Sequence, residues 1–77
     1  MHELAITESL VDCVCESVQD ARVVRVVVEI GALSGVFPDA VLGCFELCAR
    51  ETALEGATLE IVRTGGQELR IREVEVI

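Results

Sequence analysis

The spacing of apolar and polar positions changes period along the chain, and each change marks an element. From Glu3 to about Asp20, the polar residues Glu8, Ser9, Asp12, Glu16, Gln19 and Asp20 gather on one side of a helical wheel, while Leu4, Ile6, Leu10, Val11, Val14 and Val18 fill the other. This spacing predicts an amphipathic helix. The period then falls to two. Val23-Val24-Arg25-Val26-Val27-Val28-Glu29-Ile30 is rich in β-branched residues, with Val24, Val26, Val28 and Ile30 on one side and Arg25 and Glu29 on the other. A central strand with one buried face is expected there.

Gly31 and Gly35 bracket a turn, and Pro38 with Asp39 suits the first turn of a second helix, because proline's missing N–H has no intrahelical partner to lose there. This helix is expected to reach Arg50 or Glu51. Ala40, Val41, Cys44, Phe45, Leu47 and Cys48 would face inward, and Asp39, Gly43, Glu46 and Arg50 outward. Gly56 precedes a strand over Thr58 to Thr64. Gly65-Gly66 follows, a pair that tolerates the positive φ of a tight hairpin turn, and a last strand runs from about Gln67 to Val76. Within it Leu69 and Ile71 share one face and Val74 and Val76 the opposite one, so the alternation slips near Arg72. A bulge or an early exit from the sheet is expected at that point.

The resulting order, α-β-α-β-β, defines an α+β fold: a three-stranded sheet with two helices packed on one face, since a strand-helix-strand crossover must cover a face. Without repeats or linkers, residues 1–77 read as a single domain. A chain this short buries only ~60% of its unfolded surface or a little more, so the core is expected to be thin.

Charge and length narrow the functions available. The net charge of −8, with six Arg and no Lys, argues against nucleic acid, whose phosphates require clustered cations. A cation or a basic protein surface fits better. No apolar run approaches the ~20 residues that cross a bilayer, and the first residues lack the basic region and apolar core of a signal peptide. The expectation is therefore a cytoplasmic protein, not a membrane one, with its four cysteines reduced.

Spacing tests each candidate site in turn. Cys13 and Cys15 resemble a Cys-x-Cys pair, but two helical steps turn through ~200° and point the thiols to opposite flanks of the apolar face, so packing at the core or its edge is the reading adopted. Cys44 and Cys48 lie one turn apart on one face and could in principle share an ion. Flanked by Val41, Phe45 and Leu47, they are expected to face the sheet, where a thiolate would be desolvated. Neither pair has zinc-knuckle spacing. The carboxylates read as solvated faces. Ser9, Ser17 and Ser34 have no histidine base nearby in sequence, as the single histidine is His2, which disfavours nucleophilic catalysis. Gly31-Ala32-Leu33-Ser34-Gly35 lacks the lysine and glycine density of a phosphate loop.

Met1-His2-Glu3 is different. A free α-amine, the backbone nitrogen of His2 and its imidazole can close fused chelate rings around one ion. Ni²⁺ or Cu²⁺, which accept square-planar nitrogen ligands and drive amide deprotonation, suit this set better than Zn²⁺. The amide or carboxylate of Glu3 could add a fourth donor. On the residues alone another account stays open: a solvated His2, with Glu3 as a first-turn acid complementing the helix dipole. That dipole opposes a bound cation.

The opening Met1-His2-Glu3-Leu4, followed by Glu8-Ser9-Leu10, resembles the HypA/HybF family of hydrogenase nickel-incorporation proteins. Val28-Glu29-Ile30-Gly31-Ala32-Leu33-Ser34-Gly35-Val36 is similar to that family's strand and turn, and Pro38-Asp39-Ala40 to its second-helix start. Gly56-Ala57-Thr58-Leu59-Glu60-Ile61 and Glu68-Leu69-Arg70-Ile71 are similar to its later strands, so nearly the whole chain is covered. The resemblance implies a cytoplasmic nickel metallochaperone with no catalytic activity, which cooperates with a partner maturation GTPase to deliver Ni(II) to the large subunit of [NiFe] hydrogenase. It implies a nickel site of Met1 (amine), His2 (amide and imidazole) and Glu3 (amide or carboxylate).

The chain departs from the family pattern twice. Family members usually insert a zinc domain with two Cys-x-x-Cys pairs between the last two strands, whereas here Gly65-Gly66 joins them directly. A single nickel-binding domain is expected, with the zinc domain absent between Thr64 and Gln67 and no zinc bound. An acidic residue frequent before the proline is also replaced by Phe37, which puts in doubt a side-chain ligand from this loop, though Asp39 is near. The competing reading is a metal-independent interaction module that docks on a basic partner. An edge strand beside a diglycine hinge also leaves a homodimer or strand exchange open.

Overall fold

The structure, a computed structural model, describes residues 2–77. Its elements are α1 (Glu3–Val18), β1 (Val23–Gly31), α2 (Pro38–Ala49), β2 (Thr58–Thr64) and β3 (Leu69–Val76). The sheet order is β2-β1-β3, with β1 parallel to β2 through the α2 crossover and antiparallel to β3. The valine-rich strand is therefore central, as its composition predicts. Both helices pack on the same side of it: Val11 and Val14 of α1 and Val41, Phe45 and Ala49 of α2 share one core with Val26, Val28 and Ile30.

Each helix buries a narrower stripe than its sequence suggests. In α1 the buried residues are Thr7, Val11 and Val14. Thr7 is tolerated there because its hydroxyl donates to the Glu3 carbonyl at 2.6 Å, so no polar group is left unmade. The helix stops at Val18 and not at Asp20, because Gln19 turns to φ 55 and donates its N–H to the Cys15 carbonyl. Leu4 and Leu47, expected inward, are 46% and 58% exposed. With Glu8, Asp12 and Cys48 they line an open cleft between the two helices. Leu47 stands ~200° from Phe45 on the wheel, and Ala49 takes the inward place. Leu54, beyond α2, is fully buried and belongs to the core.

Two irregularities set which side chains of the sheet meet the helices. Val23 pairs with Val76 and Arg25 with Glu75, leaving Val24 as the extra residue. Val23 is consequently buried and Val24 only half-buried, which corrects the expected placement of Val24. Farther along, Val27 pairs with Glu73 and Val28 with Ile71, so Arg72 bulges out of the ladder. This is the expected bulge. Its consequence is that Leu69, Ile71, Val74 and Val76 pair with Ile30, Val28, Val26 and Val23 and share the helix side, while the charged residues share the other.

That other face is laced with ion pairs. The Arg25 guanidinium contacts Glu60 at 3.1 Å, Glu73 at 2.6 Å and Glu75 at 3.0 Å. Glu29 is buried, accepting from Arg70 and facing Arg72, an arrangement that compensates its desolvation.

The link between β2 and β3 is not a hairpin. β1 lies between these strands, and the positive-φ glycines are Gly35 and Gly56, not Gly65 or Gly66. Residues 64–68 instead form a strap across the end of β1. The Gly31 N–H donates to the Glu68 carbonyl at 2.7 Å, the Ala32 N–H to Thr64 at 2.9 Å and the Leu33 N–H to Gly66 at 2.8 Å. A Cβ on Gly31 would lie 2.1 Å from the Gly66 carbonyl oxygen, so only glycine fits beneath the strap.

Candidate metal centre at the amino terminus

The terminal segment is built on the first turn of α1. His2 is exposed and immediately precedes the helix, at φ −101 and ψ 81. Its carbonyl accepts the Ile6 N–H at 3.0 Å, the first bond of the helical ladder. No side chain caps this end. The N–H groups of the first turn, that of Glu3 among them, therefore precede any intrahelical acceptor. Met1, the third residue of the expected site, lies outside the described residues.

Glu3 is half-buried and works in two directions. Its carbonyl receives the Thr7 hydroxyl, and its carboxylate oxygen Oε2 accepts the Phe37 N–H at 3.2 Å. Phe37 occupies the N-cap of α2 at φ −92 and ψ 114, without a side-chain cap. This extended geometry is what the following Pro38 enforces, and it aims the Phe37 N–H away from the helix. The contact ties the starts of both helices together. Sequence reasoning missed it because its donor is a backbone group. The available signal was an acid in one helix's first turn and a pre-proline residue at the start of the other.

The surroundings are partly apolar. Leu33 and Phe37 are 68% and 69% exposed on the loop between β1 and α2. Asp39, expected near the site, is paired with Arg63 at 2.9 Å, both side chains lying largely in solvent.

The cysteines do not join His2 and Glu3, although the Cys48 thiol donates to the Leu4 carbonyl at 4.0 Å. Cys13 is exposed, so it is not a core residue, while Cys15, Cys44 and Cys48 are half-buried. Cys15 and Cys48 pack against the core. Burial pushes the Cys48 thiol up, and the nearby Glu8, Cys44 and Asp12 push it further, which favours the protonated form that ligates metals poorly. Among the described residues no group of three or more His, Cys, Asp or Glu side chains is placed to hold a metal ion. No helix among them is long and apolar enough to cross a membrane.

The family described as "Hydrogenase/urease nickel incorporation, metallochaperone, hypA" matches residues 1–67. The chain belongs to this family. It is 49% identical over 67 residues to the hydrogenase maturation factor HypA of Crocosphaera subtropica, covering 87% of this chain and 59% of that protein. Against the factor of the same name from Geobacter metallireducens it is 52% identical over 67 residues, covering 87% and 61%. The chain thus spans about three fifths of the length of the curated relatives it matches. The solution structure of the Ni metallochaperone HypA from Helicobacter pylori shares the fold, with a TM-score of 0.65 at 19% identity over 100% of this chain and 94% of that one. The family match ends at Gln67, ahead of β3.

Proposed function

We propose that this chain is a nickel-binding metallochaperone domain acting in [NiFe] hydrogenase maturation. It carries Ni(II) as cargo to the hydrogenase large subunit with a partner GTPase, in the cytoplasm and without catalysis of its own. The observation that carries this reading is an exposed histidine set directly ahead of α1 in a chain whose residues 1–67 match a nickel-incorporation family.

The ligands are Met1 through its α-amine, His2 through its amide and imidazole nitrogens, and Glu3. Fused rings of this kind need deprotonated amide nitrogens. The Glu3 amide lies in the first turn, where losing its proton sacrifices no helical hydrogen bond. One oxygen of the Glu3 carboxylate already serves Phe37, so the amide nitrogen is the better available donor and the carboxylate positions the segment. Neither the cysteines nor Asp39, which faces Arg63, belongs to the set. Zinc has no place in this reading, since the two Cys-x-x-Cys pairs of the usual inserted domain are missing between Thr64 and Gln67, where the strap closes directly on Gly31.

Calorimetric titration of Ni²⁺ into the untagged protein, His2→Ala and a form extended by one residue at the amino terminus tests the assignment. Tight binding by the first alone is expected, with proton release that depends on buffer and pH. Equal binding by all three overturns it.

A further inference from the structure

We propose that β3 is a self-recognition strand, which joins two copies of this chain edge to edge about a two-fold axis passing between Arg72 and Glu73. β3 is an edge of the sheet, so the outer side of its backbone presents unpaired N–H and C=O groups. Such edges invite pairing unless their side chains forbid it. Here the side chains match. An antiparallel second copy centred between Arg72 and Glu73 sets Arg72 opposite Glu73, Arg70 opposite Glu75, Ile71 opposite Val74 and Leu69 opposite Val76. Every charge meets its opposite and every apolar residue meets another, the pairing that stabilises antiparallel neighbours.

The bulge makes this register possible. On a regular strand, residues facing each other across such an axis must share parity, so the axis would pass through Arg72 or Glu73. That would oppose like charges at the centre and set Ile71 against a glutamate. Because Arg72 is an extra residue in the ladder, the parity shifts by one at the axis itself. Leu69, Ile71, Val74 and Val76 then lie on the helix side, and Arg70, Glu73 and Glu75 on the open face where they meet Arg25 and Glu29. Each proposed pair stays on one face.

Two further features suit this occupant. Leu69 and Val76 remain 39% and 45% exposed. Ile6 and Leu10 of α1, with Leu69 and Ile71 of β3, line an open groove of about 500 Å³ along this edge. Val74 and Val76 of the second copy would stand at its mouth. On the open face the ion-pair network of each copy would continue into the next, giving one sheet in the order β2-β1-β3-β3-β1-β2. β2, the other edge, matches less well: centred on Ile61 it opposes Glu60 to Val62 and Leu59 to Arg63, and centred on Glu60 it opposes that carboxylate to itself and forms no opposite-charge pair.

Sedimentation of the full chain from low micromolar to millimolar concentration should show a monomer–dimer equilibrium. The variants R70E/R72E and E73R/E75R should each self-associate roughly a hundredfold more weakly, since each sets like charges opposite one another at four places about the axis. Mixed together they should form a heterodimer, because every opposed pair is then Glu with Arg. A wild-type chain that stays monomeric throughout, or variants that dimerise like it, overturns the proposal. Hydrogen exchange on the unmodified protein gives a second reading that does not depend on the variants folding. Outward amides of β3 should gain protection with concentration. Protection gained at β2 instead, or at neither edge, also overturns it.

Discussion

The Glu3 carboxylate accepts the backbone N–H of Phe37 at 3.2 Å, so the residue beside His2 is held by the start of the second helix. This contact separates fold from metal at one residue. Glu3→Ala removes the acceptor and is expected to destabilise the protein by about 1 kcal/mol, the usual worth of a hydrogen bond to a partly exposed group. Glu3→Gln keeps a carbonyl oxygen and should lose less. If the amide nitrogen of residue 3 is the nickel donor, both variants retain nickel binding once folded. Urea unfolding and nickel calorimetry on the two proteins measure these effects separately.

Thiol reactivity should follow the packing. Cys13 is exposed on α1, whereas Cys48 is half-buried, with burial and then the charges of Glu8, Cys44 and Asp12 raising its pKa. Because alkylation proceeds through the thiolate, Cys13 should be modified first and Cys48 last in native protein, the order being read by mass spectrometry of digests. Nickel should not change that order. Protection of Cys44 and Cys48 by added metal would mean that they form a site after all.

The elements legible in the sequence are those whose pattern had one physical cause. β1 could be placed because its β-branched run suits a central strand, although both of its faces, not one, are buried from Val26 to Gly31. The Arg72 bulge was legible because four apolar residues change parity around it. Val24 could not be placed, since a run of valines reads equally well in either parity. Leu4 and Leu47 read as core residues because hydropathy does not distinguish a side chain facing the sheet from one lining the cleft between helices. The β2–β3 connection was misleading as well, although β1 was expected at the centre. A diglycine between strands suits a hairpin, and only the non-local pairing of β1 with both neighbours excludes one. At the candidate site, chelation by His2 could be argued from donor types alone, while the Phe37 contact with Glu3 depends on backbone direction.

Gly31 is where that strand order makes its strongest demand. Gly31→Ala would place a methyl group against the Gly66 carbonyl and the Glu68 N–H, both backbone atoms that cannot rotate away. The strap must lift, straining its three hydrogen bonds to residues 31–33. A loss of roughly 1–3 kcal/mol, the usual cost of overpacking, is expected as a lower urea midpoint at unchanged slope. Gly65→Ala should be nearly neutral by comparison, since nothing lies within 4 Å of its added Cβ and its φ is not positive.

The strap also carries a pH dependence. The Thr64 hydroxyl donates to the Glu68 carboxylate and, with the Glu68 backbone N–H and the charge of Arg70, holds its pKa below the ordinary carboxylate value. A carboxylate depressed in the folded state favours folding above its unfolded pKa, and that contribution is lost as pH falls through the folded value. The effect therefore belongs to the acid limb and is absent near neutrality as a slope. Thr64→Val removes the first cause of the shift, so its stability should fall less steeply than the wild type's on acidification below the ordinary glutamate range. Thermal unfolding of both proteins across that range measures the difference, and parallel acid limbs would show that the Thr64–Glu68 hydrogen bond does not persist in solution.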